Sequence, residues 1–366
     1  MNIGLIKEIK QDEFRVGLTP ASAMEYTERG HTVMVEQNAG VGSGFSDKAY
    51  TDAGCLIEHD KKAIFAACEM IIKVKEPLED EYGLFHEGQI LYTYLHLAAD
   101  RELTEFLLDR KVCGVAYETV TEEDGTLPLL KPMSEIAGRL AVQEGAKYLE
   151  KPFGGRGVLL GGVPGIERGK IVIIGGGTVG TNACRIAAGM GAEVTVLDIS
   201  WRRLTYLEDI FKNSITTLYS NAGNIQKSIS AADLVIGAVL IPGAPSPQLI
   251  RKSHLKQMKQ GAVIVDVAID QGGCCETSHL TYHSDPTFIV DGVVHYCVGN
   301  MPGVVALSST CALSSVTTRY GLMIADQGIR SAMERSHAVK TGINTIDGQL
   351  TNRAVAEEYG IDYSDC

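Results

Sequence analysis

The chain has 366 residues, 45% of them apolar and 21% charged, which is long enough for two domains with separate cores and close enough to the soluble average to argue against disorder or low complexity. Its 33 basic residues stand against 45 acidic ones, a net charge of −12, so it lacks the broad positive field that nucleic acid attracts. No apolar run reaches the roughly 18 residues of a membrane span, the N-terminus "MNIGLIKEIKQDEFR" turns charged within seven residues, and nine scattered cysteines form no C-x-x-C pair, which predicts a cytoplasmic protein with reduced thiols and no metal site.

Through residue 120, short β-rich runs alternate with helical stretches: "NIGLI", "HTVMVE", "EMIIKV", "GQILYTYL" and "VCGVAY" read as strands of a parallel sheet covered by helices on both faces. The segment "LPLLKPMSEIAGRLAVQEGAKYLE" opens with a proline break and a cap at Ser134, and Ile136, Leu140 and Tyr148 mark an apolar face, so it is read as a helix bridging two domains. The runs "KIVII", "EVTVL", "ITTLY", "DLVIGAVL" and "GAVIVDVAI" repeat the rhythm and predict a second doubly wound sheet. After "NMPG", residues 308–335 carry Ala, Leu, Met and Ile at helical spacing, which predicts one long return helix that brings the tail back to the first domain. The expected organisation is α/β: a central domain over residues 131–306 inserted into an outer one made of residues 1–130 and 307–366.

Gly175, Gly177 and Gly180 form G-x-G-x-x-G between a strand and a helix. The first allows the tight turn, the second a close approach of backbone to pyrophosphate, and the third the packing of helix on strand. Asp198 closes the next strand, where a carboxylate accepts from both ribose hydroxyls and repels a 2′-phosphate, so the cofactor is expected to be NAD. Arg202 and Arg203 follow in the next helix turn, where two cations have the charge to attract a 2′-phosphate, but they read rather as a solvated helix face. In open α/β sheets, ligands sit beyond the carboxyl ends of the strands. Arg15 follows "NIGLIKE", Lys75 follows "EMIIKV" and His96 follows "GQILYTYL", so three donors of different kinds converge there as an anion site with a proton carrier. In "VIVDVAIDQGG", Asp266 lies inside an apolar strand and reads as a structural hydrogen-bonding group, whereas Asp270 ends the strand and is the better site candidate. Asn300 in "VGNMPG" is either a turn residue or a cofactor contact.

The stretches "KEIKQDEFRVGLTP", "VKEP", "YLHLAAD", "KPMSEIAGRLAVQEGAKYLE", "GVLLGGVPGI", "DQGGCCETS" and "NMPG" together resemble the L-alanine dehydrogenases over nearly the whole chain. The resemblance implies a central Rossmann NAD-binding domain inserted into a discontinuous flavodoxin-like substrate domain, joined by long helices. It also implies reversible deamination of L-alanine to pyruvate and ammonia by hydride transfer to NAD, in a homohexamer. Carried to matching positions, it makes Arg15 the carboxylate anchor, Lys75 a second substrate contact, His96 the acid and base, and Asp270 the group that orients water and amine. Ser134, Gly175, Gly177, Thr178, Val179, Gly180, Asp198, Arg203, Asn300 and Met301 become the cofactor set, with no metal. One stretch departs: "VVALSST" places Ala306 and Leu307 where the family usually has proline and arginine beside the cofactor loop. Two rival readings stay open at this point. One is a transhydrogenase component that passes hydride to NADP on a partner; the other is a catalytically silent NAD-binding module.

Overall fold

The computed structural model describes residues 1–239 and 246–365, and the chain divides into two compact units, one of Met1–Met133 with Gly303–Cys366 and one of Ser134–Pro302. The strands of the first unit are β1 (Asn2–Leu5), β2 (Thr32–Glu36), β3 (Leu56–Glu58), β4 (Met70–Ile72), β5 (Ile90–Thr93) and β6 (Cys113–Ala116). Those of the second are β7 (Lys170–Ile174), β8 (Glu193–Asp198), β9 (Ile215–Tyr219), β10 (Leu234–Gly237), β11 (Val263–Asp266), β12 (Thr287–Val290) and β13 (Val293–Tyr296). Two more, β14 (Ile343–Ile346) and β15 (Gln349–Leu350), belong to the first unit.

The first sheet runs β15-β14-β6-β5-β4-β1-β2-β3 and the second β12-β13-β11-β10-β7-β8-β9. Without the short edge strand β3, the parallel strands β1 to β6 follow the order 2-1-3-4-5 of flavodoxin-like sheets, while β7 to β11 with β13 follow the Rossmann order 3-2-1-4-5-6. Each sheet therefore has a switch point where the winding reverses, between β1 and β4 and between β7 and β10. The central strands read as continuous apolar runs because both faces are covered: β4, β5, β10 and β11 are buried at every residue. The first core gathers Ile64, Phe65, Leu91, Leu103 and Leu107 with Leu350 and Val355 of the C-terminal segment. The second gathers Val172, Ile174, Leu197, Val235 and Ile264.

The sheets are not wholly parallel, as the strand rhythm had suggested. β12 pairs antiparallel with β13, and β14 antiparallel with both β15 and β6. Both hairpins turn on Asp-Gly, with Asp291 and Gly292 at φ of +48° and +79° and Asp347 and Gly348 at +53° and +78°, the left-handed pair that a type I′ turn requires. The helix Lys131–Tyr148 begins before Ser134, which lies in its first turn and is not its cap; Pro132 occupies a position where a missing N–H costs nothing. The return helix is not continuous either. It spans Ala306–Gln327, stops at Gly328, whose φ of +76° lies outside the helical region, and resumes as Ile329–Arg335. The last residue of the expected strand "DLVIGAVL", Leu240, lies outside the described residues.

Candidate active site

β1, β4 and β5 are neighbours in the first sheet, and the loops beyond their carboxyl ends carry Arg15, Lys75 and His96. Arg15 is only 2% exposed. Its Nε donates to Glu13 Oε1 at 2.7 Å and its Nη2 to Oε2 at 2.5 Å, a side-on fork, while its Nη1 lies 3.2 Å from Met133 Sδ. Burial opposes the guanidinium charge, but Glu13 outweighs it and holds the pKa above the ordinary arginine value. The loop is pinned from the return helix: Val16 N–H donates to Thr310 Oγ1 at 3.2 Å and Thr19 N–H to Ser314 Oγ at 3.1 Å. That helix starts at the departing stretch, with Ala306 buried and Leu307 exposed.

His96 has a φ of +51°, a left-handed conformation rare outside glycine, and its main-chain N–H donates to Glu118 Oε1 at 2.6 Å. Its ring stacks on Tyr94, centroids 5.9 Å apart and planes 11° apart; the Tyr94 hydroxyl donates to the Leu129 carbonyl at 2.7 Å. Burial raises the Tyr94 phenol pKa, partly offset by the Arg15 charge. Lys75 is gripped through its backbone, its N–H donating to Glu8 Oε1 at 3.3 Å and its carbonyl accepting from Thr93 Oγ1 at 3.0 Å. Burial pushes the Glu76 carboxyl up, but Lys75, Lys10 and His96 outweigh it and hold it below the usual glutamate range. Tyr94 thus neighbours both Arg15 and His96, and Glu76 both Lys75 and His96.

Sequence reading missed Glu8, Glu13, Lys73, Thr93, Tyr94 and Glu118. A signal existed for Lys73: a charge inside the apolar run "EMIIKV" must be paired if buried. It is fully buried, between Glu8 and Glu81.

In the second unit, β7 ends in the glycine turn and Gly177 precedes the helix Thr178–Gly189, so Thr178 and Val179 supply its first two amides. Gly175 has a φ of +100°, and a Cβ at Gly180 would stand 1.8 Å from the Gly175 carbonyl oxygen, whereas at Gly177 nothing lies within 4 Å. Asp198 Oδ2 accepts from Gly176 N–H at 2.7 Å and Oδ1 from Ser200 N–H at 2.8 Å. The open helix N-terminus at Gly177 and the carboxylate closing β8 fit a dinucleotide with a free ribose 2′-hydroxyl. Arg203 is not a solvated face. It folds back on the glycine turn, donating to the Gly176 carbonyl through Nε, and through Nη2 to the Gly177 carbonyl at 3.1 Å and Thr181 Oγ1 at 2.6 Å. The same two carbonyls also accept from Thr181 Oγ1, at 3.1 and 2.7 Å, so Arg203 and Thr181 brace the turn together, whereas Arg202 is exposed.

Asp266 is buried and accepts from the amides of Ala268, Cys274 and Cys275 and from Ser278 Oγ, at 3.2, 2.9, 3.2 and 2.6 Å, which is a structural role. Asp270 lies in the single turn Ile269–Gln271 beyond β11, where its Oδ2 accepts from Asn300 N–H at 3.4 Å. Asn300 is left-handed, with a φ of +57°, and Met301 behind it is buried. Ser134 lies half-buried in the first turn of Lys131–Tyr148. Among the described residues, no cluster of His, Cys, Asp or Glu is arranged to hold a metal.

The family description "Alanine dehydrogenase/PNT, N-terminal domain" matches residues 4–137, and "Alanine dehydrogenase/PNT, C-terminal domain" matches residues 141–353. The chain is 53% identical to an alanine dehydrogenase of Staphylococcus haemolyticus and 54% identical to one of Methanococcus maripaludis, in each case over 100% of this chain and 98% of the relative. A solved L-alanine dehydrogenase superposes with a TM-score of 0.96 at 51% identity, covering 98% of this chain and 99% of that one. A solved transhydrogenase from Sinorhizobium meliloti has a TM-score of 0.83 at 23% identity and shares the fold. Matched along its length by both domain descriptions and by relatives more than half identical to it, the chain belongs to the alanine dehydrogenase/PNT family.

Proposed function

We infer that the chain catalyses the reversible oxidative deamination of L-alanine to pyruvate and ammonia, with NAD as hydride acceptor. The observation that carries this reading is the placement of Arg15, Lys75 and His96 beyond three neighbouring strands around the first sheet's switch point, in a chain that matches alanine dehydrogenases end to end. It is tested by following NADH absorbance with alanine and NAD in the absence of any other protein. Absence of turnover would refute it.

The Arg15 guanidinium, fixed in plane by the Glu13 carboxylate along its Nε–Nη2 edge, binds the substrate carboxylate, and Lys75 adds a second positive charge at the carboxylate and the carbonyl or imino group. The dinucleotide, when bound, supplies the acceptor for the hydride leaving the substrate Cα. His96 takes a proton from the water that adds to the resulting imine and returns it as ammonia leaves. Asp270 has the role of orienting water and amine. The amides at Gly177, Thr178 and Val179 would hold the phosphates of the dinucleotide and Asp198 its adenosine ribose; Arg203 keeps the glycine turn in shape, and Ser134, Asn300 and Met301 would complete the cofactor contacts. The helix dipole and open amides favour the pyrophosphate, and the Asp198 carboxylate disfavours a 2′-phosphate.

No helix among the described residues is long and apolar enough to cross a membrane. A homohexamer, supported by the sequence resemblance, and a cytoplasmic location, supported by the charged N-terminus and the scattered cysteines, are part of the same proposal; light scattering on the purified protein tests the assembly.

A further inference from the structure

We propose that Thr93 and Glu8 are positioning residues that hold Lys75 in place, one through its carbonyl oxygen and the other through its amide. The inference rests on the assignment of Lys75 to the substrate. β4 ends at Ile72, and its ladder continues only through Lys73 N–H to the Tyr92 carbonyl at 3.2 Å and Tyr94 N–H to the Val74 carbonyl at 3.3 Å. At Lys75 side chains take over. Thr93 Oγ1, wholly buried on the strand to one side, donates to the Lys75 carbonyl at 3.0 Å. Glu8, beyond the strand on the other side, accepts with Oε1 from Val74 N–H at 2.6 Å and from Lys75 N–H at 3.3 Å.

Glu8 is itself held. Its Oε2 lies 3.3 Å from Lys73 Nζ, and that ammonium lies 3.0 Å from Glu81 Oε2. Glu81 also accepts from Leu78 N–H at 3.4 Å and pairs with Lys61 at 3.2 Å. Residues 73–78 are therefore bracketed at both ends by carboxylates that one buried ammonium bridges. Buried ion groups gain little stability over apolar residues of the same volume, because desolvation offsets their attraction. Their value here is geometric: the segment has left the ladder, and the charged bracket fixes where its backbone, and hence the Lys75 side chain, stands.

The test uses the full-length enzyme with Thr93→Val, which removes the hydroxyl and keeps the shape, Thr93→Ser, which restores a hydroxyl, and Glu8→Gln, which removes the charge. Lys75→Ala serves as control. Thr93→Val removes the hydroxyl that donates to the Lys75 carbonyl, so KM for pyruvate should rise about tenfold while kcat falls less, and Thr93→Ser should recover most of the loss. Glu8→Gln should shift KM in the same direction. NADH affinity, read by fluorescence, should stay at the wild-type value in all three. The proposal is overturned if Lys75→Ala abolishes turnover while Thr93→Val and Glu8→Gln keep the wild-type KM. It is also overturned if Thr93→Val loses NADH binding and pyruvate affinity together and Thr93→Ser restores neither. Retained turnover in Lys75→Ala would instead refute the role of Lys75, and the positioning role with it.

Discussion

At the scale of single residues, the proposed site is built from charges that the fold has paid to bury and then paired. The Glu13 fork that orients Arg15 cannot be reproduced by a lysine, so Arg15→Lys should raise KM for pyruvate far more than KM for NADH; equal effects would make Arg15 structural. His96→Ala should lower kcat by roughly 10²- to 10⁴-fold in both directions, as loss of an acid and base does, with NADH binding by fluorescence unchanged. Asp198→Ala removes the acceptor for Gly176 and Ser200 N–H as well as the ribose partner. The ratio of kcat/KM for NAD over NADP should therefore fall, and exposed Arg202 is the cation positioned to help, since Arg203 is committed to the glycine turn. A wild type that prefers NADP would refute the assignment of Asp198. Glu76 supplies a pH signature. Its folded pKa is depressed by Lys75, Lys10 and His96 acting against burial, so its contribution is present above the ordinary glutamate pKa and is lost as pH falls through the lower folded value. The difference in Tm between wild type and Glu76→Gln should shrink as the pH is taken from neutrality to about 3.

At the scale of elements, the strand–turn–helix from Lys170 to Gly189 separates two uses of glycine. At Gly180 an added Cβ would meet a backbone oxygen at 1.8 Å, so Gly180→Ala must push the helix off the strand and should cost roughly 1–3 kcal/mol of stability. At Gly177 the space is open, so Gly177→Ala should keep the wild-type Tm and yet weaken NADH binding, because its methyl occupies the approach to the pyrophosphate. Denaturant melts paired with fluorescence titrations separate the two; equal NADH affinity in Gly177→Ala and wild type would remove the turn from the cofactor site. The two Asp-Gly hairpins show how a local signal can be overlooked when a longer rhythm dominates. "VDGV" and "IDGQ" carry the type I′ signature, yet each flanks strands too short to stand out against the alternation of strand and helix.

At the scale of the whole molecule, the second unit is a single stretch of chain with its own core. A protein of residues 131–302, which keeps the helix Lys131–Tyr148 intact, should fold and bind NADH but show no turnover, because Arg15, Lys75 and His96 are absent from it; failure to bind NADH would place part of the nucleotide site elsewhere. What the sequence alone determined was local in character. Strand and helix period, the spacing of Gly175, Gly177 and Gly180, Asp198 at the next strand end, and reactive side chains just past strands are all read within a window of a few tens of residues, because backbone geometry repeats over that range. The tertiary structure decided which distant groups meet. Glu8 reaches Lys75 and Thr310 reaches Val16 across separations of 67 and 294 residues. Such pairs depend on ångström-level positions that no spacing rule encodes, since a buried polar group takes whatever partner the packing brings within about 3 Å.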